Sequence, residues 1–248
     1  MHTRLRCSSV AAIGAVVLAA ALGVPLAAGS IADHVVISEV EIVDSEWVEL
    51  YNPTNTAVDM TSWYWCYFNS TASWNQPTMQ EAFVNGSTDL NIEAHTCYLM
   101  RIDGTVGNAD WETDYGGLPN TLNDAAGSVA LFPWDPALKT AAEAAEGRID
   151  AVAWGAVSSV KEGSEAPAPG SGMSLQRRVN ETITFDGVHG PAWDTNSNAA
   201  DFFLWMSDPR YSKNLPVPPI PELAPLILFA IGLGTLAGYV LVARRRIR

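Results

Sequence analysis

Val36-Ile37-Ser38-Glu39-Val40-Glu41, followed by Glu46-Trp47-Val48-Glu49-Leu50-Tyr51-Asn52-Pro53, is the stretch on which the reading of this chain turns. Across 35–43, Val36, Ser38, Val40 and Ile42 fall on one face and Glu39 and Glu41 on the other. In the second piece Val48 and Leu50 oppose Glu49. Period-two patterning over short runs predicts half-buried strands. Asn52-Pro53-Thr54-Asn55 is a turn that ends the second strand. Ala57-Val58-Asp59-Met60 then leads into the aromatic run Trp63-Tyr64-Trp65-Cys66-Tyr67-Phe68, whose side chains suit a pleated surface.

Working outward, further strands are expected at 95–102, 128–132, 149–154, 173–179 and 202–206, separated by Gly, Pro, Asn and Asp clusters. The helical candidate between the termini is 136–146, rich in Ala, Lys and Glu, read as an insertion between two strands. Segments 69–92 and 103–124 are long, polar and weakly patterned, and read as functional or irregular loops. Segment 158–172 is a Ser/Glu/Ala/Pro/Gly loop expected to be mobile. Short strands with regular turn punctuation predict an all-β sandwich, with ample chain for one core.

These pieces resemble a known family. The opening pair of strands, the Ala57-Val58-Asp59-Met60-Thr61-Ser62-Trp63 turn, Ser128-Val129-Ala130-Leu131-Phe132, Ile149-Asp150-Ala151-Val152-Ala153-Trp154-Gly155, Ser174-Leu175-Gln176-Arg177-Arg178 and the closing Asp194-Thr195-Asn196-Ser197-Asn198-Ala199-Ala200-Asp201-Phe202 occur in the order of the lamin-tail domain. The resemblance spans 35 to about 214 and implies an immunoglobulin-like β-sandwich with long loop insertions. In microbes such domains sit in secreted or surface proteins.

The ends place this domain. Arg4 and Arg6 precede the apolar run 10–26, and small residues come after it, which is the pattern of a secretory signal. Ser30-Ile31-Ala32 favours cleavage before Asp33, with cleavage after Ala28 second and an uncleaved membrane helix as the alternative. The expected organisation is a signal peptide over 1–32, the β domain over 33–215, a Pro-rich stalk over 216–222, a transmembrane helix over 223–243 and a basic tail over 244–248. The run 223–243 carries no charge and matches a bilayer core of roughly 30 Å. Arg244-Arg245-Arg246-Ile247-Arg248 belongs in the cytoplasm by the positive-inside rule. The expected location is the cell membrane, single-pass, with the domain outside. Pro221-Glu222-Leu223 before the apolar run resembles an archaeal PEF-CTERM sorting signal, which implies an archaeosortase-like processing partner that replaces the helix with lipid. An ordinary retained helix is the alternative.

Charge narrows the partners. The chain carries a net charge of −13, and the exported stretch 33–221 holds 8 basic against 26 acidic residues, or −18. Such a surface repels nucleic acid and anionic headgroups. Extracellular protein or glycan is the expected ligand class, and no nucleic acid. Cys66 and Cys97 are an even pair in an oxidising compartment, so a disulfide between them is expected, with two buried thiols as the alternative.

Chemistry is sparse in the sequence. There is no Gly-x-Ser-x-Gly elbow and no phosphate-cradling loop, and His95 and His189 lack partners at a recognised spacing. Asp194, Asn196, Asn198 and Asp201 alternate like the start of a calcium loop but lack its glycine and distal glutamate, and the family resemblance makes the same stretch a structural turn. Calcium is therefore the one cofactor considered, and none is otherwise expected. Asn69, Asn85 and Asn180 head N-glycosylation acceptors. Trp47, Trp63, Trp65 and Trp154 read as core or sheet-face residues. Trp74, Trp111 and Trp134 read as loop residues, for packing or for gripping a partner. The expectation is a non-catalytic surface module for adhesion, envelope architecture or ligand binding. Its alternatives are a calcium-dependent binding module and an extracellular hydrolase with a carboxylate site in the long loops.

Overall fold

The computed structural model describes residues 29–84, 90–103, 106–113, 122–157, 159–182, 184 and 190–210. Most of the signal segment, Asn85, the stalk, Pro221-Glu222-Leu223 and the C-terminal apolar run lie outside them. Among the described residues no helix is long and apolar enough to cross a membrane.

The described chain is all-β with two short helices. Its first half supplies β1 (Ser30–Ile31), β2 (Val36–Glu41), β3 (Trp47–Tyr51), β4 (Val58–Asp59), β5 (Tyr64–Asn69), β6 (Met79–Ala82) and β7 (Asn91–Ile92). The second half supplies β8 (Cys97–Arg101), β9 (Trp111–Glu112), β10 (Gly127–Phe132), β11 (Asp150–Trp154), β12 (Met173–Arg177), β13 (Trp193–Asp194) and β14 (Phe202–Met206). A six-stranded sheet runs β14-β12-β2-β3-β8-β9, and a four-stranded sheet runs β11-β10-β5-β6. Both are antiparallel except for the β8–β9 pair. Two ribbons, β1–β13 and β4–β7, close the ends. The sheets share one core: Ile37, Val40, Val48, Leu50 and Leu175 from one meet Trp65, Tyr67, Val129, Leu131 and Trp154 from the other.

The strand that opens the reading breaks its own alternation. The β2–β3 register shifts between Ile37 and Glu39, a bulge that adds one residue at Ser38. Val36 therefore joins an outer cluster with Tyr51 and Cys97, while Ile37, Val40 and Ile42 enter the main core. The expected single face of Val36, Ser38, Val40 and Ile42 is corrected accordingly. Nor is the strand half-buried, since every residue of β2 and β3 is buried.

Glu39, Glu41 and Glu49 lie on the outer face of the six-stranded sheet, buried beneath the segment after β14. Ser207 Oγ donates to Glu41, Asp208 N–H to Glu39 at 3.0 Å, and Arg210 to Glu49 through its backbone N–H and its guanidinium at 2.8 to 3.2 Å. Ser174 and Gln176 complete the Glu39 shell. This strap converts an acidic strand face into an interior. Burial, then the neighbouring Glu49, pushes the Glu39 carboxyl up to about 8.

The outer face of the four-stranded sheet carries a second apolar layer: Cys66, Phe68, Ala130 and Phe132 under Trp74 and Ala144. Ala144 comes from α1 (Ala141–Gly147), whose N-terminus is fixed by a reciprocal Thr140–Glu143 capping box. The expected helix over 136–146 is thus two pieces, a 3₁₀ turn at Pro136–Leu138 and α1, divided at the Thr140 cap. Cys66 belongs to this layer and Cys97 to the outer cluster of the opposite sheet. Both are free and buried, and burial pushes both thiols up. The expected disulfide does not form, because both sheets and the core stand between the sulfurs. Facing sheets lie about 10 Å apart, beyond the reach of a disulfide.

One ion pair ties the sheets. Arg177 of β12 and Asp150 of β11 are almost wholly buried and meet at 2.6 Å. Arg177 also donates to Ile37 O and Trp193 O, and Asp150 accepts from Ile37 N–H and Ala151 N–H. Four strands thus converge on two side chains. Asp150, then Asp194 and Asp201, outweigh the loss of hydration and hold the Arg177 pKa above its usual value. Asp150→Asn leaves the guanidinium buried without its counter-charge, and denaturant unfolding should show a loss of about 3–5 kcal/mol.

Glu39 makes stability fall with rising pH. Its ordinary value is 4.5 and its folded value about 8. Below 4.5 both states hold the proton. Above it the unfolded chain releases a proton that the folded chain keeps, so stability declines until the folded group titrates. The melting temperature should drop by more than about 5 °C between pH 5 and 8. Glu162, raised to the same value, adds a like contribution, so Glu39→Gln should cut that slope by about half, and an unchanged slope would show that Glu39 is not a source of it.

Candidate functional site

A cleft opens beside the Arg177–Asp150 pair, at the end of the fold where the β1–β13 ribbon lies. It encloses about 370 Å³ and is lined by His34, Glu146, Arg148, Ile149, Glu162, Asp194 and Asn196. A recess of about 300 Å³ shares His34, Asp194 and Asn196 with it and extends along Ser30 to Asp33.

Hydrogen bonds and packing hold Arg148 and Glu162 in the wall. Arg148 comes directly after the last turn of α1; its Nη1 donates to Ala145 O, its Nε to Glu162 Oε1 at 2.6 Å and its Nη2 to Asn196 Oδ1 at 3.3 Å. Its guanidinium stacks 5.2 Å from the Trp74 ring. Glu162, 4% exposed, sits in the 158–172 loop. That loop, expected to be mobile, is pinned. Asn198 Oδ1 accepts from Glu162 N–H and Ala153 N–H, Asn198 Nδ2 donates to Ala151 O, and Ala166 pairs with Trp154. Burial, then Asp150, pushes the Glu162 carboxyl up to about 8, against the pull of Arg148 and Arg177. Its Oε2 is buried and has no hydrogen-bond partner among the described residues. The His34 ring lies 3.3 Å from Asp33 and 3.9 Å from Asp194.

The four oxygen donors read as a calcium candidate are brought close in the chain but turned to different tasks. Asp194 Oδ1 accepts from Asn196 N–H, and Asn196 takes the left-handed conformation that this turn requires, at φ 54°. Asn198 is the buried strut just described. Asp201 accepts from Thr195 N–H, Thr195 Oγ and Ser197 N–H. The stretch is an Asx-type turn leading into α2 (Asn198–Asp201), with its oxygens other than Asp194 Oδ2 engaged within the chain. Among the described residues no three His, Cys, Asp or Glu groups gather as a metal site.

Of the glycosylation acceptors, Asn69 is exposed and Asn180 half-buried, and each side chain accepts from the threonine two residues on. The loop tryptophans pack inward. Trp111 stacks on Phe83 in the main core, Trp74 meets Phe68 and Phe132 edge-on, and Trp134 tilts against Phe132. The long loops likewise contribute β6, β7 and β9 to sheets, and among the described residues no carboxylate pair from them lines the cleft.

Sequence reasoning passed over Glu162, Arg148 and Asp150 and set His34 aside as a terminal residue. One signal was available: Asp150 and Arg177 are charges inside otherwise apolar strand runs, where a charge needs a buried partner.

No protein-family model matches the chain, and no curated protein matches it. Among solved structures it is similar to a DUF4876 family protein from Bacteroides thetaiotaomicron, with a TM-score of 0.49 and 12% identity, covering 76% of this chain and 75% of that one.

Asn198→Ala removes three buried side-chain bonds and frees the Glu162 loop. Unfolding should show a loss of at least about 2 kcal/mol, with faster hydrogen exchange at Glu162 and Ala153. Because the other oxygens of Asp194, Asn196, Asn198 and Asp201 are engaged and leave Asp194 Oδ2 as a lone ligand, millimolar calcium should leave the melting temperature unchanged; a rise would restore the calcium reading.

Proposed function

We propose that this chain is a non-catalytic, surface-displayed binding module. It is an immunoglobulin-like sandwich of lamin-tail type, exported, held at the membrane by its C-terminal segment, and gripping an extracellular protein or glycan at the His34–Arg148–Glu162 cleft. The observation that carries this reading is the cleft itself: a small recess in which hydrogen bonds hold Arg148 and Glu162 in place and the His34 ring lies beside the carboxylates of Asp33 and Asp194.

A hydrolase is the second reading, and one observation favours it. Glu162, raised to about 8, shares the cleft with Asp194, and paired carboxylates of unlike environment suit acid–base chemistry.

Display is consistent with the two ends of the described chain. Ser30 and Ile31 pair with Asp194 and Trp193, and Ala32 N–H donates to Ala192 O. Cleavage before Asp33 would remove this ribbon, whereas cleavage after Ala28 keeps it, so we favour a mature chain that begins at Gly29. At the other end the Arg210–Glu49 clasp is the last described contact before the proline stalk. The anchor is either a retained helix or a PEF-CTERM-like signal exchanged for lipid.

Labelled full-length protein should be retained on envelopes of the cells that make it, and His34→Ala with Glu146→Gln should cut that retention by at least about fivefold. Equal retention by the variant would remove the cleft from the reading, and turnover of glycoside, ester or peptide substrates would replace it with the hydrolase. Intact mass of membrane-extracted protein should give Gly29 as the first residue. A chain beginning at Asp33 would overturn that site, and the same mass distinguishes a retained helix from a lipid.

A further inference from the structure

We infer that the cleft formed by His34, Arg148, Glu162 and Asp194 captures its ligand through a protonated primary amine. The inference rests on reading that cleft as the module's ligand site. It comes from counting hydrogen-bond capacity around the cleft.

Three of the five Arg148 N–H donors are already engaged. The Arg148 guanidinium gives Nε to Glu162, Nη1 to Ala145 O and Nη2 to Asn196, and its face lies on Trp74. An anionic ligand would meet only the two remaining Arg148 N–H groups, and beside them Glu146, Glu162 and Asp194. The acceptors are in surplus. Glu162 Oε2 is enclosed and has no partner among the described residues, although the residue is 4% exposed. A buried polar atom without a partner is rare and costly, and a missing ligand donor accounts for it. Asp194 Oδ2 lies 3.9 Å from His34 Nε2, longer than a hydrogen bond. Glu146 stands exposed on the rim. An ammonium supplies three donors on a compact charge and meets these acceptors together, where a hydroxyl would meet them without neutralising them. The volume of the cleft lies at the small end of ligand pockets.

Capture of a cation should also move a proton. The groups facing Glu162 are Arg148 after α1, Asp150 on β11, Arg177 on β12, and Glu146, Asp194 and His34 across the cleft. Burial and Asp150 keep Glu162 protonated at neutral pH, with a value of about 8. The arriving ammonium replaces that proton as the positive charge beside the carboxylate. Binding therefore releases up to one proton to solvent and, below that value, tightens by about tenfold for each unit the pH rises. The amine remains charged over this range, since alkyl ammonium groups titrate near about 10.

The amine has two sources, a free diamine or an amino sugar of an envelope glycan. Calorimetry on the full-length chain in detergent, in two buffers of different ionisation heat, tests both with 1,4-diaminobutane and glucosamine. N-acetylglucosamine serves as the acetylated control. One of the two amines should bind with Kd below about 1 mM at pH 7.5 and release a proton, and the control should bind at least about tenfold more weakly. Whichever amine binds identifies the source. Glu162→Gln should abolish the proton release and weaken binding by at least about tenfold. Proton release from the unmodified chain tests the inference even if that variant fails to fold. Equal binding of the control, binding without proton release, or no binding of either amine overturns it. If neither amine binds while envelope retention still depends on the cleft, this inference falls and the binding-module reading stands; if retention is also lost, both fall.

Discussion

The Arg177–Asp150 ion pair is the constraint on which the rest of the structure depends. Two sheets facing each other across apolar side chains can slide, because the hydrophobic effect has no direction. A buried guanidinium has direction. Arg177 reaches from β12 to the backbone of β2, to Trp193 and to Asp150 on the opposite sheet, and Asp150 returns a bond to the same residue of β2. Register between the sheets is thereby fixed at one end. The cost of burying the charges is offset by giving each Arg177 nitrogen and each Asp150 oxygen a partner, which is the condition under which buried ion pairs persist.

The same rule governs the outer faces. An acidic chain with glutamates on the outward positions of its central strands would ordinarily show them to water. Here the strap after β14 supplies Ser207, the Asp208 amide and Arg210, one for each of Glu41, Glu39 and Glu49. The fold is completed only when this last described segment is in place. The acidity of the middle strands and the basic residue at the end of the domain therefore form one design. A pull on the chain beyond Arg210 would load the Arg210–Glu49 contact first.

The strands were largely legible because period-two patterning and turn residues are local signals, and 202–206 was placed to the residue. Three features were not legible, each for a physical reason. The Ser38 bulge changes which face β2 buries, and a one-residue slip leaves no mark on composition. The cysteines looked paired because spacing says nothing about which side of a sheet a residue occupies. The cleft was invisible because its parts are Glu162 from a Pro/Gly loop, Arg148 from a helix end, Asp194 from a ribbon and His34 from the N-terminal arm. Of the site residues expected from sequence, Asp194 and Asn196 do line it, but through the acceptor groups of a turn.

Cleft and ion pair are parts of one polar seam. Asp150 faces Arg177 on its buried side and raises Glu162 on the other, while Asp194 stands 4.0 Å from Arg177 and lines the cleft. A charge arriving in the cleft is therefore felt by the residues that lock the sheets. The seam carries Asp150, Glu162, Asp194 and Asp201 against Arg148 and Arg177, an excess of carboxylates that the protein offsets by keeping Glu162 protonated. A cation bound there would discharge the same excess without the proton. By linkage, a ligand that bound the folded cleft would also steady the pairing of the two sheets behind it.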